Sequence, residues 1–250
     1  GGLIAGNARN TVISNVSVRH GEYSGLGTAG GLVGYYYGDS RGLIENCSAE
    51  LNISGGVYVG GLAGWAVGGD FTNCITTGTV RAASSSTGTV GQVAQSGGIV
   101  GRGNGVITNC ISACRMETTR NIVNYSVVGG LVGWEFATGA NDAIVNSIAL
   151  PRYVSGSDRK NGGIVGDLAS NNPEFSLDTD YTWDGIDNAR SDNFNGNSGN
   201  FVSSAQVWDN AAFYTSVGYD MENIWEIGAG EKYKIPQLRG QPAMQADVSY

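Results

Sequence analysis

The sequence predicts an all-β chain wound as a right-handed parallel β-helix of about six coils. A small C-terminal capping segment with one short helix is expected to follow. Three observations carry this. A glycine-rich pentapeptide recurs from residue 1 to about residue 170, and a second element of the form apolar-x-Asn-small recurs between its copies. The units are rich in Gly, Val and Ile and poor in strong helix formers, which excludes helical solenoids. Parallel strands that return every thirty-odd residues without an intervening helix have one compact solution, in which each unit is one coil. Right-handed winding is the sense expected of parallel crossovers.

The pentapeptides begin at residues 1, 30, 60, 97, 129 and 162: Gly1-Gly2-Leu3-Ile4-Ala5, then GGLVG, GGLAG, GGIVG, GGLVG and GGIVG. Their spacing varies while the motif does not, which places length differences in loops. The third position, Leu or Ile, is expected to point inward, and the flanking glycines to allow tight bends and close approach of coils. The second element is Ile13-Ser14-Asn15-Val16, Ile44-Glu45-Asn46-Cys47, Phe71-Thr72-Asn73-Cys74, Ile107-Thr108-Asn109-Cys110 and Ile144-Val145-Asn146-Ser147. Asn suits a turn because its short amide tolerates the left-handed region and bonds nearby backbone. Stacked in register, Asn15, Asn46, Asn73, Asn109 and Asn146 form either an amide ladder, the favoured reading, or a row of solvated turn residues. Cys47, Cys74 and Cys110 fall on one column of that ladder. The four cysteines, Cys114 included, could make two disulfides, but three on one column favour a stack of small buried thiols. After the Asn, the alternation Cys47, Ala49, Leu51, Ile53 reads as a strand with one face buried.

Composition excludes several classes. Glycine reaches 41 of 250 residues while proline stays at 4 and no Gly-X-Y period appears, so the chain is not collagenous. A net charge of -8 argues against nucleic acid or an anionic membrane as partner. No apolar run approaches the roughly 18 residues of a membrane span, so no membrane insertion is expected of this segment. The single histidine, His20, rules out HExxH and Cys2His2 zinc sites and makes a Ser-His-Asp triad implausible. No catalytic residue, metal or cofactor is assigned. No basic and apolar leader precedes Gly1, so localisation is inferred rather than read.

GGLVG followed by Ile-x-Asn-Cys resembles the GLUG repeat of bacterial surface adhesins, also found beside the catalytic domains of IgA-cleaving zinc metallopeptidases. The resemblance covers roughly residues 1 to 170 and implies a secreted or cell-surface setting within a larger chain. It implies no activity, because the zinc motif is missing. After Gly166 the pattern lapses, so residues 1–170 are read as the repeat β-helix and 171–250 as an irregular coil and cap. Ser203 and Gln206 look like a capping box opening one helix to about Tyr214. Residues 217–238 alternate like edge strands, resembling the segment that closes GLUG arrays. Trp208, Phe213, Trp225 and Leu238 are read as the cover of the last apolar layer. Asp178, Asp180, Asp184 and Asp187 invite a calcium reading, but the sixth and twelfth positions from Asp178 are Trp183 and Ala189, not Gly and Glu. A solvated acidic loop is favoured, with a looser calcium site left open.

The residues following each pentapeptide, Gly6, Tyr35, Trp65, Arg102, Trp134 and Asp167, form one column if the register holds. Arg102 would then sit between two indoles, a favourable cation–π arrangement, with Tyr36, Tyr37 and Phe136 widening the surface. These aromatics either shield a coil corner or form a strip that docks a host glycan or a surface protein. The function expected is a non-catalytic surface module for adhesion or display. The alternative is a β-helix carbohydrate-active enzyme, lyase or hydrolase, which would need paired carboxylates on one groove. The densest charge in the array, Asp158-Arg159-Lys160, falls in a loop.

Overall fold

A computed structural model describes residues 1–25, 27–83, 93–119, 126–135, 143–151, 154–155, 161–168, 176–185, 197–228, 234–242 and 244. The chain is a parallel β-helix. Each turn passes through three stacked sheets, and every strand pairing of the array is parallel among the described residues. One sheet stacks the short strands Ala29–Gly30, Tyr58–Gly60, Gln95–Gly97, Val127–Gly129 and Asn161–Gly162. A second is led by Ala5–Arg9, Val33–Glu45, Ala63–Thr72, Val100–Gly103, Val132–Glu135 and Val165–Leu168. The third stacks Ser17–Ser24, Ser48–Gly55, Ile75–Ala83, Ile111–Thr119, Ile148–Ala149, Tyr181–Trp183 and Asn200–Val202. The last two of these carry the stack beyond residue 170.

The pentapeptide is the corner between the first and second sheets. Its third residue is fully buried in Leu32, Leu62, Ile99, Leu131 and Ile164. The backbone there bonds rung to rung, from Leu32 N to Leu62 O at 3.0 Å and from Ile99 N to Leu131 O at 2.8 Å. The glycines give the close approach expected from sequence, and the bend at this corner is made without left-handed backbone. No pentapeptide glycine has a positive φ; the described glycines that do, such as Gly68 and Gly78, lie elsewhere. A Cβ on Gly61 would instead meet the carbonyl of Gly98 on the next rung, and one on Gly98 the carbonyl of Gly130. A side chain at this corner would hold neighbouring rungs apart.

The first unit departs from the pattern by one residue. Gly2, not Gly1, pairs with Gly30, and Ala5 pairs with Val33. Leu3 and Ile4 are consequently half exposed, at 48% and 50%, on the outermost rung, where no further rung covers them among the described residues.

The Asn corner joins the second and third sheets. Asn15, Asn46, Asn73, Asn109 and Asn146 all occupy the left-handed region, with φ of 56°, 50°, 50°, 50° and 51°. Asn is among the few residues with a side chain that visit this region routinely. The ladder at this corner is made of backbone: Asn46 N donates to Thr72 O, and Asn73 N to Thr108 O, each at 3.0 Å. The side-chain oxygens of Asn46, Asn73 and Asn109 are buried without a hydrogen-bond partner, so these amides do not bond one another as a side-chain ladder requires. What the position demands is the backbone angle, not the amide.

The C-terminal segment differs most from expectation. Two helices replace the single one, Ser204–Val207 and Ala211–Val217. Asp209, at φ 51°, breaks the first, and the Asn210 side chain caps the second by accepting from Phe213 N at 3.1 Å. The segment starts on the last rungs, where Trp208 and Phe213 pack as expected, and then continues beyond them. Trp208 packs on Trp183 and Phe213 on Tyr181; Gly218 lies beside Asn146; the Tyr219 hydroxyl donates to Cys110 O at 3.0 Å; Gln241 donates to Asn46 O at 2.7 Å. Proceeding from 208 to 241 the chain thus meets ever earlier rungs, as a strap running back along the Asn corner. Val207, Tyr214, Val217, Tyr219, Trp225 and Leu238 join the core of the array as one apolar cluster. Trp225 and Leu238 pair in a short antiparallel hairpin, Trp225–Ile227 with Pro236–Leu238.

Candidate functional site

The strip lies on the outer face of the second sheet, where the register stacks Asn7, Tyr35, Trp65, Arg102, Trp134 and Asp167. Asn7 takes the place expected for Gly6, a direct result of the one-residue slip in the first unit. Alternation along the strand sends Tyr36 inward, where it is fully buried against Phe71 with its hydroxyl donating to Thr11 O at 2.8 Å. Tyr36 therefore does not widen the strip, whereas Tyr37 stays outside beneath the Arg9 guanidinium at 4.8 Å. Phe136 lies outside the described residues.

Arg102 is the centre of the arrangement. Its guanidinium carbon is 5.3 Å from the Trp65 ring centre and 5.1 Å from that of Trp134, the neighbours above and below. A third ring, Tyr58, stands at 5.1 Å and accepts a hydrogen bond from Nη1 at 2.8 Å. Tyr58 comes from the short strand preceding its pentapeptide, and its ring meets Trp65 edge-to-face at 5.3 Å, as Tyr35 does at 5.2 Å. Sequence reasoning missed Tyr58 because it belongs to a different sheet. Its place two residues before Gly60 was the available signal. The rings cross at 73°, so they form a knobbed ridge rather than a flat platform. Tyr35, Trp65, Arg102 and Trp134 are each partly exposed, so the ridge shields the sheet and still faces solvent.

A second column, inside the Asn corner, is chemically uniform. Cys47, Cys74, Cys110 and Ser147 follow one another on successive rungs, all buried, and all four cysteines are free. Each bonds to the carbonyl two residues back: Cys47 to Glu45 O at 3.1 Å, Cys74 to Thr72 O and Cys110 to Thr108 O at 3.3 Å, Ser147 to Val145 O at 3.0 Å. The bond with the Cys74 thiol, followed by burial, pushes the Cys47 thiol well up, burial followed by the bond with Cys110 does the same for Cys74, and burial lifts Cys114 to about 11. These are structural thiols in their protonated form.

The acidic segment does not converge. Asp178 and Asp184 are exposed, Asp180 is fully buried, and Asp187 lies outside the described residues. No group of three His, Cys, Asp or Glu side chains placed to hold a metal ion occurs among the described residues. Asp158, Arg159 and Lys160 also lie outside them. A cavity of about 340 Å³ near the last rungs is lined, among the described residues, by Leu168, Ser176, Leu177, Asp178, Asn197, Gly199 and Asn200. No helix is long and apolar enough to cross a membrane among the described residues.

Comparison with known proteins agrees with this architecture. The GLUG motif matches residues 25–54, which span the pentapeptide at Gly30 and the Asn corner at Asn46. The fold is similar to that of a crystal structure from Bacteroides ovatus, provisionally described as an immunoglobulin A1 protease. The two share 18% sequence identity with a TM-score of 0.56, over 94% of this chain and 77% of that one. At that identity the likeness speaks for the fold. No curated protein matches the chain.

Proposed function

We propose that this chain is a non-catalytic repeat module of a secreted or cell-surface bacterial protein, serving adhesion or display. Its Tyr35, Trp65, Arg102 and Trp134 ridge is the place where a host glycan or surface protein docks. The observation that carries the reading is the Arg102 guanidinium held among three rings. It fixes partly exposed aromatic side chains in one geometry before any ligand arrives, which lowers the ordering cost of binding. The GLUG motif and the fold-level likeness to a chain described as acting on an extracellular immunoglobulin support the surface setting. The enzymatic alternative needs two carboxylates flanking a bond; among the described residues the cavity lining contributes one, Asp178.

The test is binding of the wild type and a Trp65→Ala/Trp134→Ala double variant to a host-glycan and mucosal-protein panel, with circular dichroism to confirm folding. A loss of tenfold or more in the folded double variant is expected. Undiminished binding, or a wild type that binds nothing on the panel, removes the docking role.

A further inference from the structure

The thiol column continues onto the last rungs with a residue of another kind. Because Ile148 pairs with Tyr181, the position after Ser147 is Asp180. Every earlier member from Cys47 onward is a small neutral donor, bonded to the carbonyl two residues back and to one on the preceding rung: Cys74 reaches Ile44 O and Cys110 reaches Phe71 O, both at 3.5 Å. The Asp180 side chain is fully buried. Its Oδ1 accepts from Ser147 N at 2.7 Å, and its Oδ2 is buried without a partner. An ionised carboxylate is an acceptor only, while a protonated one carries a donor as the thiols before it do and leaves no buried charge.

Among the described residues, no cationic side chain bonds to Asp180. The preceding rung presents the Ser147 backbone. From the strap, Phe213 packs at 5.5 Å on Tyr181, the residue after Asp180, and Tyr214 follows it in the same helix, edge-to-face with Tyr219 at 5.7 Å. From its own side come Asn200, whose Nδ2 lies 3.4 Å from the Asp180 backbone carbonyl, and the exposed carboxylate of Asp178. Tyr219 packs in turn on Trp225 at 5.3 Å and anchors the strap through Cys110 O.

We propose that Asp180 is a proton-operated latch: neutral, it seals the last rungs and the strap from Tyr214 to Trp225 against the array; ionised, it loosens both. Burial, only partly offset by the Ser147 N–H, raises its pKa from 3.8 to about 7. A released or unfolded Asp180 returns to about 3.9. The folded state therefore holds the proton more tightly, so the latch is fully closed below about pH 4, weakens as pH rises to about 7, and changes no further above that.

Two measurements on the wild-type chain test this. Carbon-13 NMR of the aspartate carboxyls is expected to show one midpoint near neutrality that is absent in Asp180→Asn. Hydrogen exchange of residues 207–225, corrected for intrinsic rates, is expected to show opening that rises about tenfold per pH unit between pH 5 and 7 and then levels off. In Asp180→Asn, which keeps an acceptor and a donor without charge, the profile should be flat; if that variant does not fold, Asp180→Ser, mimicking the preceding rung, replaces it. A carboxyl midpoint near 4 overturns the proposal. So does a neutral midpoint with pH-independent exchange of the strap, or a pH profile that survives in the variant.

Discussion

Replacing Gly101 by Ala isolates the reason for the fifth pentapeptide glycine. The backbone of Gly101 has no positive φ, so Ala fits its local conformation. Its new Cβ would stand 2.5 Å from Val59 N and 2.7 Å from both Gly64 O and Val59 C, all backbone atoms. That is about 0.9 Å short of the 3.4 Å at which ordinary contact begins, and no side chain can turn aside to relieve it. Val59 is fully buried, so its strand must move as a unit and open the stack locally. Overpacking in cores costs about 1–3 kcal/mol where side chains share the adjustment, so rigid backbone on two elements places this variant at about 3 kcal/mol or above. At about 2–4 °C per kcal/mol for a chain of this size, Tm should fall by about 6–12 °C. Gly6→Ala, whose Cβ would meet nothing within 4 Å, is the control and should stay within about 1 kcal/mol of wild type. Urea and thermal unfolding of the three proteins provide the comparison. A Gly101→Ala protein within 0.5 kcal/mol of the control would refute steric close approach as the reason for the repeat.

Two further outcomes follow from the Asn corner and the thiol column. Asn109→Ala should cost about 1–2 kcal/mol, the penalty of an ordinary side chain in the left-handed region, while Asn109→Gly should remain within about 0.5 kcal/mol of wild type. Equal losses in denaturant unfolding would restore the amide as the essential group. The four cysteines should not react with Ellman's reagent in the native protein at pH 8 and should all react once it is unfolded, because all four are buried away from the reagent. Rapid native reaction of even one equivalent would contradict the packing described.

The stack was legible because its requirements repeat. A buried Leu or Ile, a glycine with no room for Cβ and an Asn at φ near 50° are needed on one rung after another from Gly30 to Asn146, so the same residue types return at the same register and announce a coil. The Arg102 column was legible for the same reason, since in-register parallel strands place like positions over one another. The glycines were easy to find and harder to explain, because free φ and missing volume leave the same mark on a sequence.

Repetition by itself therefore determined the parallel β-helix, the buried corner residues, the Asn turn and the Trp65–Arg102–Trp134 order. Only the tertiary structure decided the slip of the first unit, the third ring from Tyr58, the backward course of the strap and the burial of Asp180. Each of these depends on where a segment without a repeat comes to rest, on a balance of apolar burial and hydrogen bonding summed over distant partners. Cys110 and Tyr219 are separated by 109 residues of chain and by a single hydrogen bond in space.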